Sequence, residues 1–528
     1  MIKTDIKLKI EYNDSDLRAA IAERLPVAVS EIGDFEIIKR RLNLSDKENP
    51  YYTATVAVSF DPEREAGLLK MKKKVSEYSP ERLILPPARL AARPVVVGAG
   101  PAGLFAALTL ALAGARPILL ERGLAVEDRG NKVRLFSELG IIDTECNIQY
   151  GEGGAGTYSD GKLKVGSRDK YKDFILSEFV NAGADADIMF SDSAHLGTDR
   201  LPGIVKAIRE KIVDNGGEVY FSTRALKILT KDGRVIGLIA EREGNRVEFS
   251  TDTLIMATGH SARDSFEMLL DCGALLEPRP FGIGVRIEHP REYINTLVYG
   301  KNYSPALGTA SYHLVTHLKG GRSVYSFCMC PGGTVVPAAS EDGGIVTNGM
   351  SEYLRDGDNS NAALLVSMTP ADFPSDSPLA GIDLQREIER RAYRLTGSYK
   401  APAQSLGELT EGVAPGSRGV RPSYPIGTEH ITLGEYLPDA VVSSLREAMA
   451  DFDAWMPGFS YPEAYLTGPE TRSTSPVRVL RAERLEAVGI SGLYPTGEGA
   501  GYSGGIVSSA RDGVIVAERI LQKSHNNI

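Results

Sequence analysis

At 528 residues the chain is too long for one hydrophobic core, so two or three domains are expected. Its 42% hydrophobic and 24% charged residues are ordinary for a soluble globular protein, and the net charge of −9 argues against a broad nucleic-acid-binding face. Four cysteines (Cys146, Cys272, Cys328, Cys330) are too few for a disulfide scaffold and fit a reducing cytoplasm.

Residues 1–90 read as a small α+β domain. The first ten residues carry charges throughout and no apolar core, so no signal peptide is read. Alternation over 6–10 predicts a strand, and 14–25 predicts a helix with Asp14 or Ser15 as N-cap. Residues 35–42 and 51–60 read as two more strands. The basic run 70–74 reads as a solvated helix face, and 86–94 as the linker into the second domain.

Residues 91–274 read as the first part of a dinucleotide-binding domain. The stretch PVVVGAGPAG (94–103) sets Gly98, Gly100 and Gly103 at GxGxxG spacing between a β-branched run and a helix-forming run. Such glycines serve a tight turn, backbone approach to a pyrophosphate and close helix–strand packing, with Pro101 and Ala102 opening the helix. That helix (104–113) stops at Gly114. A second apolar strand (117–120) ends on Glu121, placed to accept from a ribose 2′-OH, with Arg122 beside it. Hydropathy alone would mark 94–120 as a membrane span, but the glycine loop and Pro117 break that helix, and a buried parallel βαβ unit is equally apolar.

Farther on, 199–215 predicts an amphipathic helix capped by Asp199 and stopped by Gly216. Residues 218–222 read as a strand able to extend the same sheet, and three runs separated by glycine turns come next as an antiparallel meander. Residues 275–485 are less regular and proline-rich, and read as an inserted α+β substrate domain; 486–528 close the nucleotide domain with a short strand and a long helix (506–522).

Two further segments select the dinucleotide. An apolar strand runs into Ala257, Thr258, Gly259 and His260, and ligands of open α/β sheets sit beyond strand carboxyl ends. Near the end, a short strand leads into Gly497 and Glu498, then into a glycine loop through Gly504 and Gly505 to a helix starting near Ile506. Glu498 is placed for ribityl hydroxyls, and the helix N-terminus would favour charge at the flavin N1–C2=O edge. A nicotinamide needs no such second anchor, so FAD is the expected cofactor.

The turn at 257–259 and the closing loop match the two-part FAD signature of glutathione-reductase and hydroxybenzoate-hydroxylase-like flavoproteins. Four strings, GEGGAGTYSDGKL (151–163), SFCMCPGG (326–333), ETRSTSPVR (470–478) and YPTGEGAGYSGGI (494–506), resemble bacterial FAD-dependent or NAD(FAD)-utilising dehydrogenases over nearly the whole chain. The resemblance implies a Rossmann-like α/β FAD domain interrupted by a substrate domain, with no assigned substrate. No second GxGxxG comes after a strand; Gly282 and Gly284 lie in a strand-like run.

In related flavoproteins a loop corresponding to 151–163 approaches the flavin. Here Gly151, Gly153, Gly154 and Gly156, with Ala155 between them, would let the backbone lie flat against a ring, and Thr157, Ser159, Asp160 and Lys162 would add polar contacts. A glycine-rich surface turn is the alternative. The basic stretch from Lys162 through Lys164, Arg168, Lys170 and Lys172 reads as a solvated face rather than an anion receiver.

Cys328 and Cys330 are two apart on a predicted strand and so share a face. Two buried strand cysteines are the preferred reading; a dithiol exchanging electrons with the flavin is the other. His260 is equally a proton donor or a hydrogen-bonded loop residue, and Tyr502 and Ser503 are expected near the ring. No metal site is read from scattered histidines and one close cysteine pair.

The reading is a cytoplasmic FAD-dependent oxidoreductase acting by two-electron transfer on a small molecule, with hydride coming either from a reduced substrate or from transiently bound NADH or NADPH. No membrane or nucleic-acid partner is expected. The alternatives are a tRNA-modifying flavoprotein and a non-catalytic FAD scaffold.

Overall fold

A computed structural model describes residues 1–70, 75–154, 160–163, 168–413 and 420–526. The basic run 70–74 lies outside them beyond Lys70.

The amino-terminal sheet is antiparallel, in the order Phe35–Asn43, Tyr51–Val58, Ile2–Leu8, Ser76–Glu77. Along Ile2–Leu8 every second side chain is buried, and these meet Leu17 and Ile21 of the helix Asp14–Arg24. That helix is capped not by Asp14 or Ser15 but by Asn13, whose side chain accepts from the Asp16 N–H while Asp16 accepts from the Asn13 N–H. This reciprocal pair satisfies two end groups at once and outcompetes a cap one residue later. The small sheet is tied to the rest of the chain through Arg40–Asp187 and Arg41–Asp192 ion pairs.

The central sheet has five parallel strands: Leu493–Pro495, Leu254–Met256, Val95–Val97, Ile118–Leu120 and Glu218–Tyr220. The last strand pairs with Ile118–Leu120, as its sequence position suggested. On one face lie the helices Pro101–Leu112 and Ile506–Asn526. They cross so closely that a Cβ on Gly513 would stand 2.1 Å from the Ala102 carbonyl oxygen. The other face packs against a three-stranded antiparallel meander, Thr223–Lys231, Arg234–Arg242 and Asn245–Ser250. The helix Leu201–Asp214 is entered without a side-chain cap; Asp199 accepts from the Tyr353 N–H instead, a use set by tertiary contact.

The chain leaves and re-enters this unit through a two-stranded ribbon, Leu276–Pro278 against Val477–Val479. Between them is a seven-stranded sheet more regular than the proline content suggests. Its order is Val315–His317, Ser323–Cys330, Asn359–Met368, Phe281–Pro290, Tyr465–Glu470, Ala401–Ser405 and Thr428–His430; all pairs are antiparallel except the last. Gly282 and Gly284 are strand residues here, packed against Leu364 and Leu365. The apolar stretch 94–120 folds as strand, loop, helix and strand, and no helix among the described residues is long and apolar enough to cross a membrane.

Candidate functional site

The loops that follow Val95–Val97, Leu254–Met256 and Leu493–Pro495 converge at the carboxyl ends of their strands and line one cleft of about 780 Å³. The volume suits a cofactor-sized ligand. In the first loop the three glycines do different work. Gly98 sits at φ +99°, and a Cβ there would lie 2.5 Å from the Ala257 carbonyl oxygen. A Cβ on Gly103 would overlap the Gly98 carbonyl oxygen at 1.8 Å. At Gly100 a Cβ would meet no atom of the described residues within 4 Å, and the residue lines the cleft. Gly100 is also the N-cap of Pro101–Leu112 and offers no side-chain acceptor to its N–H groups. Unfilled space in front of an uncapped helix start is what a phosphate group fits.

Glu121 is used differently from the sequence expectation. It is buried and absent from the cleft lining; one oxygen accepts from the Ala99 N–H at 2.9 Å and the other from the Gly123 N–H at 2.8 Å, with Arg129 3.6 Å away. In this structure the carboxylate ties the glycine loop to the next strand. Arg122 also turns from the cleft, held by Glu145 and Asp264 and lying over the Tyr150 ring.

Ala257, Thr258 and Gly259 line the cleft, as do Glu498, Gly504, Gly505 and Ile506 from the other end of the chain. Gly497 (φ +79°) works behind the surface: its N–H donates to Asp512 at 2.7 Å, and a Cβ would press on Ala102 at 2.7 Å. Glu498 lies 3.7 Å from His260 Nδ1. Burial pushes the Glu498 carboxyl up to about 7. Burial, with the nearby Arg472 and Arg263 charges, pushes His260 down to about 4, so its ring is neutral near pH 7. Its Nε2 is buried with no hydrogen-bond partner among the described residues. Tyr502 instead stacks under Arg481, its hydroxyl accepting from the Arg481 N–H, and Ser503 pairs with Ser509. Neither lines the cleft.

From the glycine-rich segment, Gly151, Gly153, Gly154, Asp160 and Lys162 line the cleft. Ala155, Gly156, Thr157, Ser159 and Lys164 lie outside the described residues. Asp160 is buried in a two-pronged pair with Arg355, whose ε-nitrogen donates at 2.8 Å. Lys162 Nζ donates to the Met329 carbonyl at 2.5 Å, and burial lowers its affinity for a proton. Lys162 and Lys172 therefore belong to the cleft rather than to a solvated face, while Arg168 and Lys170 pair with Asp173 and Glu518.

The wall formed by the seven-stranded sheet and its loops carries residues that sequence reasoning passed over. Glu470, Arg472 and Tyr312 line it, beside Cys328, which the sequence had already marked. Behind them, Arg286 is fully buried; its guanidinium donates to Asn361, to the Cys328 carbonyl at 2.8 Å and to Glu470 at 3.2 Å. Burial raises Glu470 to about 7 even with Arg286 opposing it. Arg263 and Arg472 share Glu389 at 3.0 and 2.8 Å. Burial pushes Glu389 up, but the two guanidiniums reverse this and hold it at about 2. The only advance signal for Glu470 and Arg472 was their place in the ETRSTSPVR string (470–478). Among the described residues no cluster of three metal-binding side chains occurs.

A family model described as "FAD-dependent protein, C-terminal domain-like" matches residues 280–473. An uncharacterised protein of Clostridium beijerinckii is 44% identical over 527 residues, covering 98% of each chain. Among solved structures, E. coli quinol fumarate reductase FrdA is 16% identical, with 83% of this chain and 71% of that chain covered and a TM-score of 0.36. The 3-ketosteroid-delta4-(5alpha)-dehydrogenase of Rhodococcus jostii is 13% identical, covering 83% and 98%, with a TM-score of 0.34.

Proposed function

Because this chain belongs to the family of FAD-dependent proteins, we propose that it is an oxidoreductase that holds FAD in the cleft and exchanges two electrons with a small molecule there. One observation carries the reading: Gly100–Ala102, Ala257–Gly259 and Glu498 with Gly504–Ile506, drawn from distant parts of the chain, line a single cavity. The unfilled space at Gly100 and the unpartnered His260 Nε2 support the fit of a large polar cofactor.

In this reading Gly100, Pro101 and Ala102 receive the pyrophosphate on backbone N–H groups. Gly98, Gly103 and Gly497 keep that loop in shape. Glu498 binds hydroxyl groups, and Gly504–Ile506 present a helix N-terminus to developing negative charge. Gly153, Gly154 and Lys162 form the wall opposite. The bound cofactor supplies the redox chemistry. Glu498, raised to about 7, is the group placed to hold a proton near neutral pH, with the neutral, buried His260 ring beside it.

A nicotinamide is the proposed donor. The test is the visible spectrum of the purified protein, followed by anaerobic mixing with NADH, NADPH and a metabolite panel. A yellow protein bleached by a nicotinamide and recoloured by an organic acceptor is expected. A colourless protein that cannot be reconstituted with FAD would overturn the reading.

A further inference from the structure

We propose that Cys328 and Cys330 form a reversible dithiol–disulfide couple in the cleft, passing electrons between the flavin and a disulfide substrate. The proposal rests on the FAD reading above and narrows its substrate class.

The backbone is the first ground. The strand Ser323–Cys330 pairs residue for residue with Asn359–Met368 from Val324 to Phe327, then skips until Cys330 faces Asn361. Cys328 and Met329 are thus thrown out of the ladder as a bulge. Cys328 takes φ +39°, a region that favours glycine and costs a side chain of this kind about 1–3 kcal/mol. Two cysteines serving only as core filler would need no such distortion. Its consequence is asymmetric: Cys328 lines the cleft, while Cys330 is fully buried behind it.

Charge is the second ground. The Cys330 thiol donates to the Cys328 carbonyl oxygen at 3.3 Å. Arg286, on Phe281–Pro290, donates to that carbonyl and lies 3.5 Å from Cys330 Sγ. Lys162 is anchored on the carbonyl of Met329, between the two cysteines. Facing the pair with the opposite effect are Asp160, already paired with Arg355, and Glu470, paired with Arg286; Glu498 and Tyr312 are further titratable neighbours among the described residues. The balance favours an anion on Cys328: the adjacent Cys330 thiol acts first, and Arg286 and Lys162 add to it against the opposing effect of burial, holding this thiol below the usual range. Burial, with Cys328 beside it, holds Cys330 above that range. An accessible thiolate backed by a protonated partner is the arrangement of an attacking and a resolving thiol.

The exchange balances. The Cys328 thiolate attacks a disulfide R–S–S–R′, forming a mixed disulfide and releasing R′S⁻. Cys330 gives its proton to that leaving thiolate and attacks Cys328, releasing RS⁻ and closing the Cys328–Cys330 bond. That bond then accepts an electron pair and a proton from the reduced flavin. The S–S bond breaks, Cys328 returns as thiolate and Cys330 as thiol. A reduced nicotinamide restores the flavin.

The experiment uses the full-length protein as purified. Iodoacetamide alkylation is followed by peptide mass spectrometry from pH 5 to 9, with half-buried Cys272 as internal reference. Cys328 should react about tenfold faster than Cys272 at pH 6.5 and level off well below the midpoint of an ordinary thiol, about 8.5. 2-Hydroxyethyl disulfide should close a Cys328–Cys330 cross-link, and Cys330→Ser should trap a mercaptoethanol adduct on Cys328. After this oxidation and desalting, anaerobic reductive titration should take up two electron pairs per flavin, and one in Cys328→Ser. A yellow protein that takes up one pair, forms no cross-link and titrates Cys328 as an ordinary thiol overturns the couple and leaves the FAD reading standing. A colourless protein whose cysteines still cross-link overturns the FAD reading, and with it the flavin arm of the couple.

Discussion

Gly100 and Gly103 are three residues apart in one motif, yet their replacement by alanine should fail in opposite ways. A Cβ at Gly103 would stand 1.8 Å from the Gly98 carbonyl oxygen, and backbone is what it meets. That is roughly 1.5–2 Å short of ordinary contact, so helix and loop must separate, at a cost of about 3 kcal/mol or more. At Gly100 the φ of −74° suits any residue, and the new methyl meets no described atom within 4 Å. The weaker alanine cap and the lost chain entropy nearly cancel, leaving apo stability within about 1 kcal/mol of wild type. The methyl would instead occupy the space where backbone must touch a pyrophosphate. Thermal unfolding of the deflavinated proteins, together with FAD titration by fluorescence, separates the two. Gly103→Ala should lower the apo melting temperature sharply. Gly100→Ala should keep it and lose at least tenfold in FAD affinity, about 1.4 kcal/mol. A Gly100→Ala protein that binds FAD as tightly as wild type would refute the pyrophosphate assignment.

Glu389→Gln would leave the buried Arg263 and Arg472 short of their shared anion, and should destabilise the protein by about 3–5 kcal/mol in urea unfolding. Since the folded-state value of Glu389, about 2, lies below its ordinary 4.5, the stabilisation is present above pH 4.5 and fades as pH falls toward 2. Glu498 works with the reverse sign. Its folded value of about 7 is raised, so its ionisation costs stability that appears as pH climbs from 4.5 through 7; apo Glu498→Gln should gain about 2–3 kcal/mol over wild type at pH 8 compared with pH 5. Sulfite should bleach the bound flavin by adding at N5, because the start of Ile506–Asn526 favours charge at N1–C2=O; indifference to high sulfite would show that this helix end points elsewhere.

What could be read from the chain alone was whatever a residue demands of its own backbone. Gly98 at φ +99° and Gly497 at φ +79° need glycine for reasons local to each residue, so the two loops announce themselves in any order of folding. The short apolar strands of the parallel sheet were legible for a similar reason, as unbroken runs buried on both faces. The inserted sheet was not: Phe281–Pro290 is buried almost throughout but carries Arg286, Glu288 and His289, whose partners come from other strands and loops, so no period shows. Partner choice among charges was likewise decided by tertiary structure. Asp160 finds Arg355 195 positions away, Arg263 and Arg472 meet on Glu389, and Glu121 spends its oxygens on the glycine loop. A bulge at Cys328 exists only in relation to the strand beside it. Torsional preference is a property of one residue and its neighbours, whereas desolvating a charge is survivable only beside a counter-charge, and folding alone supplies that.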